Sequence, residues 1–224
     1  MANTTMNLKI AHQSKTIFKN REEAGKKLAQ ALHEYKNHDV VVCALPRGGV
    51  EVGLEVAKAL KAPFDVVITR KIGHPYNSEY AICAVDESGA RLCNESEINS
   101  VDKVWLEEET KRQEKEVLRR IKNYRRGKAP TDLKGKIVVL VDDGIATGLT
   151  MRSAIQYVRR QGAKEIIVAV PVSPKNIATL LRSETDNVIA LHEMTDYFSS
   201  VGAYYKNFPQ VRDEEVIRDL HYRY

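Results

Sequence analysis

The chain has 224 residues, 43% of them hydrophobic and 29% charged, with a formal net charge of +5. That is enough chain to bury a full core in one domain, and the composition is that of a globular protein rather than a disordered or fibrous one. A surplus of five positive charges suits a small anionic ligand and argues against a nucleic-acid partner, which needs a concentrated basic face. In chain order, the polar stretch Met1 to Ser14 lacks the apolar segment of a signal peptide, and no apolar run is long enough to span a membrane, so a cytoplasmic protein without a membrane partner is expected. Asn20 with Glu23 opens a helix whose apolar face is Ala24, Leu28, Ala31, Leu32 and Tyr35. Val40 to Leu45 is short, apolar on both faces and β-branched, as a buried parallel strand is, and a helix from Val50 to Leu60 follows it.

A second strand is predicted over Phe64 to Thr69, then a polar loop through Arg70-Lys71-Ile72-Gly73, with Gly73 to Tyr80 as a mobile lid. Ala81 to Val85 and Arg91 to Cys93 read as strands joined by a turn at Asp86 to Gly89. A long charged helix fills much of Ser96 to Arg126, with i,i+4 pairs Glu107–Lys111, Glu108–Arg112 and Glu116–Arg120, and reads as a solvated or partner-facing surface. Ile137 to Val141 is a third buried strand, followed by a helix from Thr150 to Gln161 closed by Gly162. Ile166 to Val170, bounded by Pro171, and Asn187 to Leu191 complete the strands, and Asp213 caps a last helix. Strands alternating with helices predict an α/β fold, a mostly parallel sheet with helices on both faces. Cys43, Cys83 and Cys93 have no metal-ligand spacing and read as small thiols in a reducing compartment.

Ligands of such sheets sit beyond the carboxyl ends of the strands. The segment Asp142-Asp143-Gly144-Ile145-Ala146-Thr147-Gly148-Leu149-Thr150 occupies that place after the third buried strand. Its glycines expose backbone N–H groups, a helix start lies just beyond, and Thr147 and Thr150 add hydroxyl donors, which together make a phosphate cradle. There is no lysine of a Walker loop and no dinucleotide glycine pattern. Two adjacent carboxylates would repel a phosphate, so Asp142 and Asp143 face either sugar hydroxyls or a metal ion. Arg47 with Gly48 and Gly49 follows the first strand, where a guanidinium can hold two phosphate oxygens. Arg70 and Lys71 follow the second, as further anion contacts or as a solvated pair.

This loop resembles the signature of the type I phosphoribosyltransferases, and Pro46-Arg47-Gly48-Gly49, Arg70-Lys71-Ile72-Gly73, Glu79-Tyr80-Ala81-Ile82 and Tyr204 to Asp213 resemble an uncharacterised subgroup of that family. The resemblance implies one domain over residues 1–224 with the type I fold, residues 71–130 forming a flexible loop and helical insertion and 171–224 a small hood and C-terminal region. It implies transfer of the 5-phosphoribosyl group of phosphoribosyl pyrophosphate to an acceptor, a nucleobase, with Mg²⁺ as cofactor, a homodimer as the assembly and nucleotide salvage as the setting. By the same resemblance Asp142 and Asp143 bind the ribose, with an indirect role toward the metal, and Gly144, Ile145, Ala146, Thr147, Gly148 and Thr150 bind the 5-phosphate. Arg47, Gly48, Gly49, Arg70 and Lys71 bind pyrophosphate, the first loop through a cis peptide, and Asp142, Asp143, Arg47 and Lys71 carry the transfer. Ala146 stands where the 6-oxopurine enzymes of the family carry an aspartate, which leaves no general base for the acceptor. Tyr197, Phe198, Tyr204, Tyr205 and Phe208 either stack on a base or pack in the core or a dimer. Two rival readings differ in what is released: a regulator that binds the donor without turnover, against which the missing helix-turn-helix counts, and a hydrolase that needs no acceptor.

Overall fold

The computed structural model describes residues 17–195 and 200–222. Helix α1 (Arg21–Ala31) starts where Asn20 accepts from the Glu23 N–H, the predicted cap. Strand β1 (Val40–Ala44) is buried at every residue and leads through Pro46 to Gly48 into α2 (Gly49–Leu60). Strand β2 (Phe64–Val66) is shorter than predicted. The Ile68 N–H donates to the Glu87 carboxylate (2.8 Å) instead of to a strand, and the chain leaves the sheet there.

Residues 70–80 correct the expectation of a loop. Strand β3 (Arg70–His74) pairs antiparallel with β4 (Asn77–Val85), which pairs with β5 (Arg91–Cys93). The outer part of this hairpin is exposed on both faces, so it carries no apolar pattern to read. Cys83 lies directly opposite Cys93 in the register and the two form a disulfide, correcting the reading of three free thiols; only Cys43 is free. Helices α3 (Glu95–Ile98) and α4 (Lys103–Arg125) follow, the second being 23 residues long.

Strand β6 (Ile137–Val141) and helix α5 (Leu149–Arg160) stand within a residue of their predicted places. Strand β7 (Glu165–Pro174) runs on through Pro171, because pairing with β8 (Asn187–Met194) resumes at Val172 opposite His192. Between them lies α6 (Lys175–Arg182), which the sequence reading missed. Helix α7 (Asp213–Tyr222) ends the described chain.

The main sheet has the order β2-β1-β6-β7-β8 and is parallel throughout. Side chains alternate between its faces. Val41, Leu140 and Val168 pack with Ile155 and Val158 of α5 and Leu181 of α6. Val42, Val139 and Ile167 pack with Leu28 of α1 and Val52 and Val56 of α2. This is the expected parallel sheet covered on both faces. Residues 171–194 supply the end of β7, α6 and β8. The cap over the sheet's carboxyl edge joins Ile17 and Phe18 to residues 201–208: Phe18, Tyr204 and Tyr205 are buried together, and Phe18 bridges Tyr205. No described helix is long and apolar enough to cross a membrane.

Candidate active site

Strands β1 and β6 are neighbours in register, so the loops that leave their carboxyl ends meet. The Pro46–Arg47 peptide is cis, as the resemblance implied. A Cβ on Gly48 would overlap the Asp143 carboxylate, and one on Gly49 would come within 2.9 Å of the Asp142 Cα. The two glycines are thus what lets the arginine loop lie against the acid loop. Asp142 turns its own carboxylate back to accept from the Asp143 N–H (2.8 Å), which fixes the turn between strand and loop.

The remainder of the acid loop leads to the start of α5. Gly148 stands before the helix at φ 78°, a conformation glycine takes without strain, and a Cβ there would meet Ile177 of α6 at 2.7 Å. The first N–H groups of α5 have no partner within the helix and point back toward the loop, as an anion site requires. Ala146 and Thr147 are exposed there, Thr150 is half-buried, and Ile145 is buried and anchors the loop through its N–H to the Val172 carbonyl (2.9 Å). Beside this loop opens a cleft of about 1260 Å³ lined by Ala146, Thr147, Lys175, Asn176, Met194 and Thr195 among others. The cleft reaches the phosphate loop but not the two acids or Arg47.

The phosphoribosyl transferase domain matches residues 13–206 of the chain. The chain belongs to that family. It is 40% identical over 206 residues, 91% of its length, to a Mycobacterium tuberculosis protein named "Putative phosphoribosyl transferase", found in two strains. It spans about half the length of these curated relatives, 46%. The crystal structure of TT1426 from Thermus thermophilus is 41% identical, with a TM-score of 0.76, and the match covers 91% of this chain and 97% of that one.

Within this phosphoribosyl transferase domain the sequence-predicted cations are not equivalent. Arg70 and Lys71 are adjacent on β3, so their side chains take opposite faces. Arg70 turns to α4, where its Nε donates to Gln113 Oε1 (3.0 Å). Lys71 turns away and pairs with Glu79 (2.8 Å). Arg47 lies 3.7 Å from Asp213. Asp213 is therefore not the cap expected of it: it sits inside the first turn of α7, and its carboxylate accepts from Tyr124 Oη and Arg119.

Sequence reasoning missed Arg21. Its Nε donates to Asp143 Oδ2 (2.7 Å), a second guanidinium nitrogen donates to the Pro209 carbonyl (2.8 Å), and its plane lies 3.7 Å from the Phe208 ring centre. Tyr205 Oη donates to the Asp143 carbonyl (2.5 Å). The cap is thus bonded to the acid loop on both sides. Burial pushes the Asp143 carboxyl above its usual value while Arg21 opposes the shift. Burial, and then the charge of Asp143, pushes Asp142 well above the usual range. Nothing in the sequence flagged Arg21, which stands more than a hundred residues from its partner at the start of an ordinary amphipathic helix.

Tyr204 and Tyr205 are core residues, and Tyr205 packs on Phe18 and Phe208 with ring centres 5.4 and 4.8 Å away. Tyr197 and Phe198 lie outside the described residues. Among the described residues no three His, Cys, Asp or Glu side chains gather as a metal site. Two acids, one already facing a guanidinium, make no cage of their own, but they suit Mg²⁺, an ion that keeps its waters and is held mainly by substrate oxygens.

Proposed function

We propose that this domain transfers the 5-phosphoribosyl group of phosphoribosyl pyrophosphate to a nucleobase acceptor and releases pyrophosphate. The observation that carries the proposal is the contact of the two loops: an arginine loop with no side chain at Gly48 lies against a twin-acid loop that runs into a helix N-terminus. A phosphate, a vicinal diol and a second anionic group on one small molecule match that order of parts. The 5-phosphate takes the N–H groups and hydroxyls of Gly144 to Thr150. The ribose hydroxyls donate to Asp142 and Asp143, which as carboxylates act only as acceptors. Pyrophosphate takes Arg47, the backbone at Gly48 and Gly49, and Arg70, while Lys71, paired with Glu79, lies on the opposite face of β3.

In the reaction the bond from the anomeric carbon to the pyrophosphate oxygen breaks, the electron pair leaves with pyrophosphate, and an acceptor nitrogen forms the new bond and gives its proton to water. The guanidinium groups stabilise charge as it gathers on the leaving group, and the acids favour the positive sugar ring. When bound, Mg²⁺ would neutralise part of the leaving-group charge, held through donor oxygens beside Asp142 and Asp143. The cleft beside Thr147 is open to an acceptor, and exposed Ala146 offers no base to it.

A pyrophosphate-release screen with the donor and Mg²⁺ against purines, pyrimidines and amines tests the proposal. Release that depends on one acceptor, and that is lost in Asp143→Asn, supports it. Release without any acceptor would make the protein a hydrolase, and tight donor binding with no release would make it a regulator.

A further inference from the structure

The carboxyl edge of β1 and β2 is covered by α4, α7 and the residues just before α7, which pack Val117, Tyr124, Val216 and Val211 against Ala44, Val50, Val66 and Ile68. That packing brings charged residues from four places in the chain beside the arginine loop. Arg119 donates to Glu116 (2.7 and 2.8 Å) and to Asp213 (2.7 Å), and Arg120 pairs with Glu116 (2.8 Å). Arg47 faces Asp213 at 3.7 Å, and Arg70 is tied to the same helix through Gln113. Three guanidinium groups, of Arg47, Arg119 and Arg120, therefore share two carboxylates, Glu116 and Asp213, and a fourth, of Arg70, stands near them with an amide as its bonded partner.

This cluster is short of negative charge. Burial, and then the nearby charge of Arg120, hold the Arg70 guanidinium below its ordinary value, and Arg47 adds to the effect. Glu116 is held down to about 2, its bond from Arg119 outweighing burial. Asp213 is likewise held below the usual carboxylate range, because its bonds from Arg119 and Tyr124 outweigh burial. Both acids are thus fully ionised at neutral pH and the deficit stands. Like charges gathered this closely repel unless an anion joins them.

We propose that the inserted helix α4 completes the anion site through Arg119 and Arg120, and that Asp213 is an internal anion that occupies Arg47 and Arg119 until the pyrophosphate end of the donor arrives. The inference rests on the phosphoribosyl-transfer reading and names residues that reading does not need. On donor entry, Arg47 and Arg119 exchange one carboxylate for phosphate oxygens, which a planar guanidinium can hold two at a time. Asp213 keeps its bond from Tyr124, so α7 stays docked to α4 through the exchange.

The test uses the full chain, inorganic pyrophosphate as probe and isothermal calorimetry, with ribose 5-phosphate titrated separately into each variant. Asp213→Asn keeps an oxygen for Tyr124 and Arg119 and removes the competing charge. It is expected to bind pyrophosphate roughly tenfold more tightly than the parent, by an amount that shrinks with salt. Arg119→Gln, on a half-exposed side chain, is expected to weaken pyrophosphate by roughly tenfold and to leave ribose 5-phosphate unchanged. Unchanged or weaker pyrophosphate binding in Asp213→Asn, with ribose 5-phosphate still bound, would overturn the internal-anion role while leaving phosphoribosyl transfer standing. If neither probe bound the parent chain or the variants, both readings would fall together. A melting curve of each variant separates loss of the site from loss of the fold.

Discussion

Gly48 has space for a hydrogen atom and nothing larger, because the Asp143 carboxylate lies where a side chain would begin. Gly48→Ala must push that carboxylate or the arginine loop aside. A displacement of about 1 Å at a reacting centre can cost on the order of a hundredfold in rate, so a loss of that size in pyrophosphate release is expected of this variant. Arg21 acts on the same carboxylate. Arg21→Met leaves Asp143, a side chain only 14% exposed, without its ion partner. Removing one member of a well-buried pair costs about 3–5 kcal/mol, and the expected loss in urea unfolding lies toward the lower end because Asp143 keeps some water. A substitution at Asp142 is expected to act on stability in the opposite sense. Its folded carboxyl titrates above the unfolded value of about 4, so the folded chain holds that proton to higher pH and ionisation at neutral pH costs stability. Asp142→Asn is therefore expected to raise the melting temperature at neutral pH, with the gain shrinking to nothing as the pH falls through the unfolded value. A gain that persisted in acid would show that its origin is not this charge. The acids, the glycines and Arg47 were legible in the sequence because their types and spacing are themselves the chemistry. Arg21 and the contacts of Asp213 were not, because each is defined by a partner far along the chain.

At the scale of elements, α4 is fastened by a buried contact that its charged surface conceals. Arg125 reaches Glu87 through two nitrogens (2.5 and 3.0 Å) and the Val66 carbonyl (2.9 Å), joining the helix to the edge of β2 and to the turn after β4. Arg125→Met would take from Glu87, whose side chain is 5% exposed, its ion partner and leave it the Ile68 N–H, and is expected to cost about 3 kcal/mol in denaturant unfolding. A cost near zero would show that the helix is held by its apolar face alone. The expectation of a solvated helix fails at this end and at Arg120. Of the three predicted i,i+4 pairs, only Glu116 with Arg120 is among the contacts found, while Arg112 chooses Glu109 and Glu107 pairs with Arg91. The buried strands β1 and β6 and the helices after them were readable from apolar runs and glycine punctuation. The hairpin β3–β4 was not, since exposed backbone pairing needs no apolar pattern. Pro171 misled in the same way: it lacks a donor, yet a strand can pass it when the neighbouring residues resume the ladder.

Across the whole molecule, the parallel sheet sets two loops side by side, and the parts around it tie those loops down. The cap reaches Asp143 through Arg21 and Tyr205, and α4 with α7 reaches Arg47 through Asp213. The fold class was predictable because strand and helix periods alternate along the chain. The disulfide between Cys83 and Cys93 was hidden because it depends on hairpin register, which the spacing of ten residues does not reveal. If twin acids clasp a diol beside a gripped phosphate, both parts must contribute to binding on one ligand. Calorimetry of the full chain with ribose 5-phosphate and with 2-deoxyribose 5-phosphate measures this directly. The ribose compound is expected to bind, and loss of the 2-hydroxyl to weaken it by roughly tenfold or more, since an acceptor enclosed by the ligand is then left unpaired. Equal affinity for the two sugars, or no binding of either, would contradict this expectation.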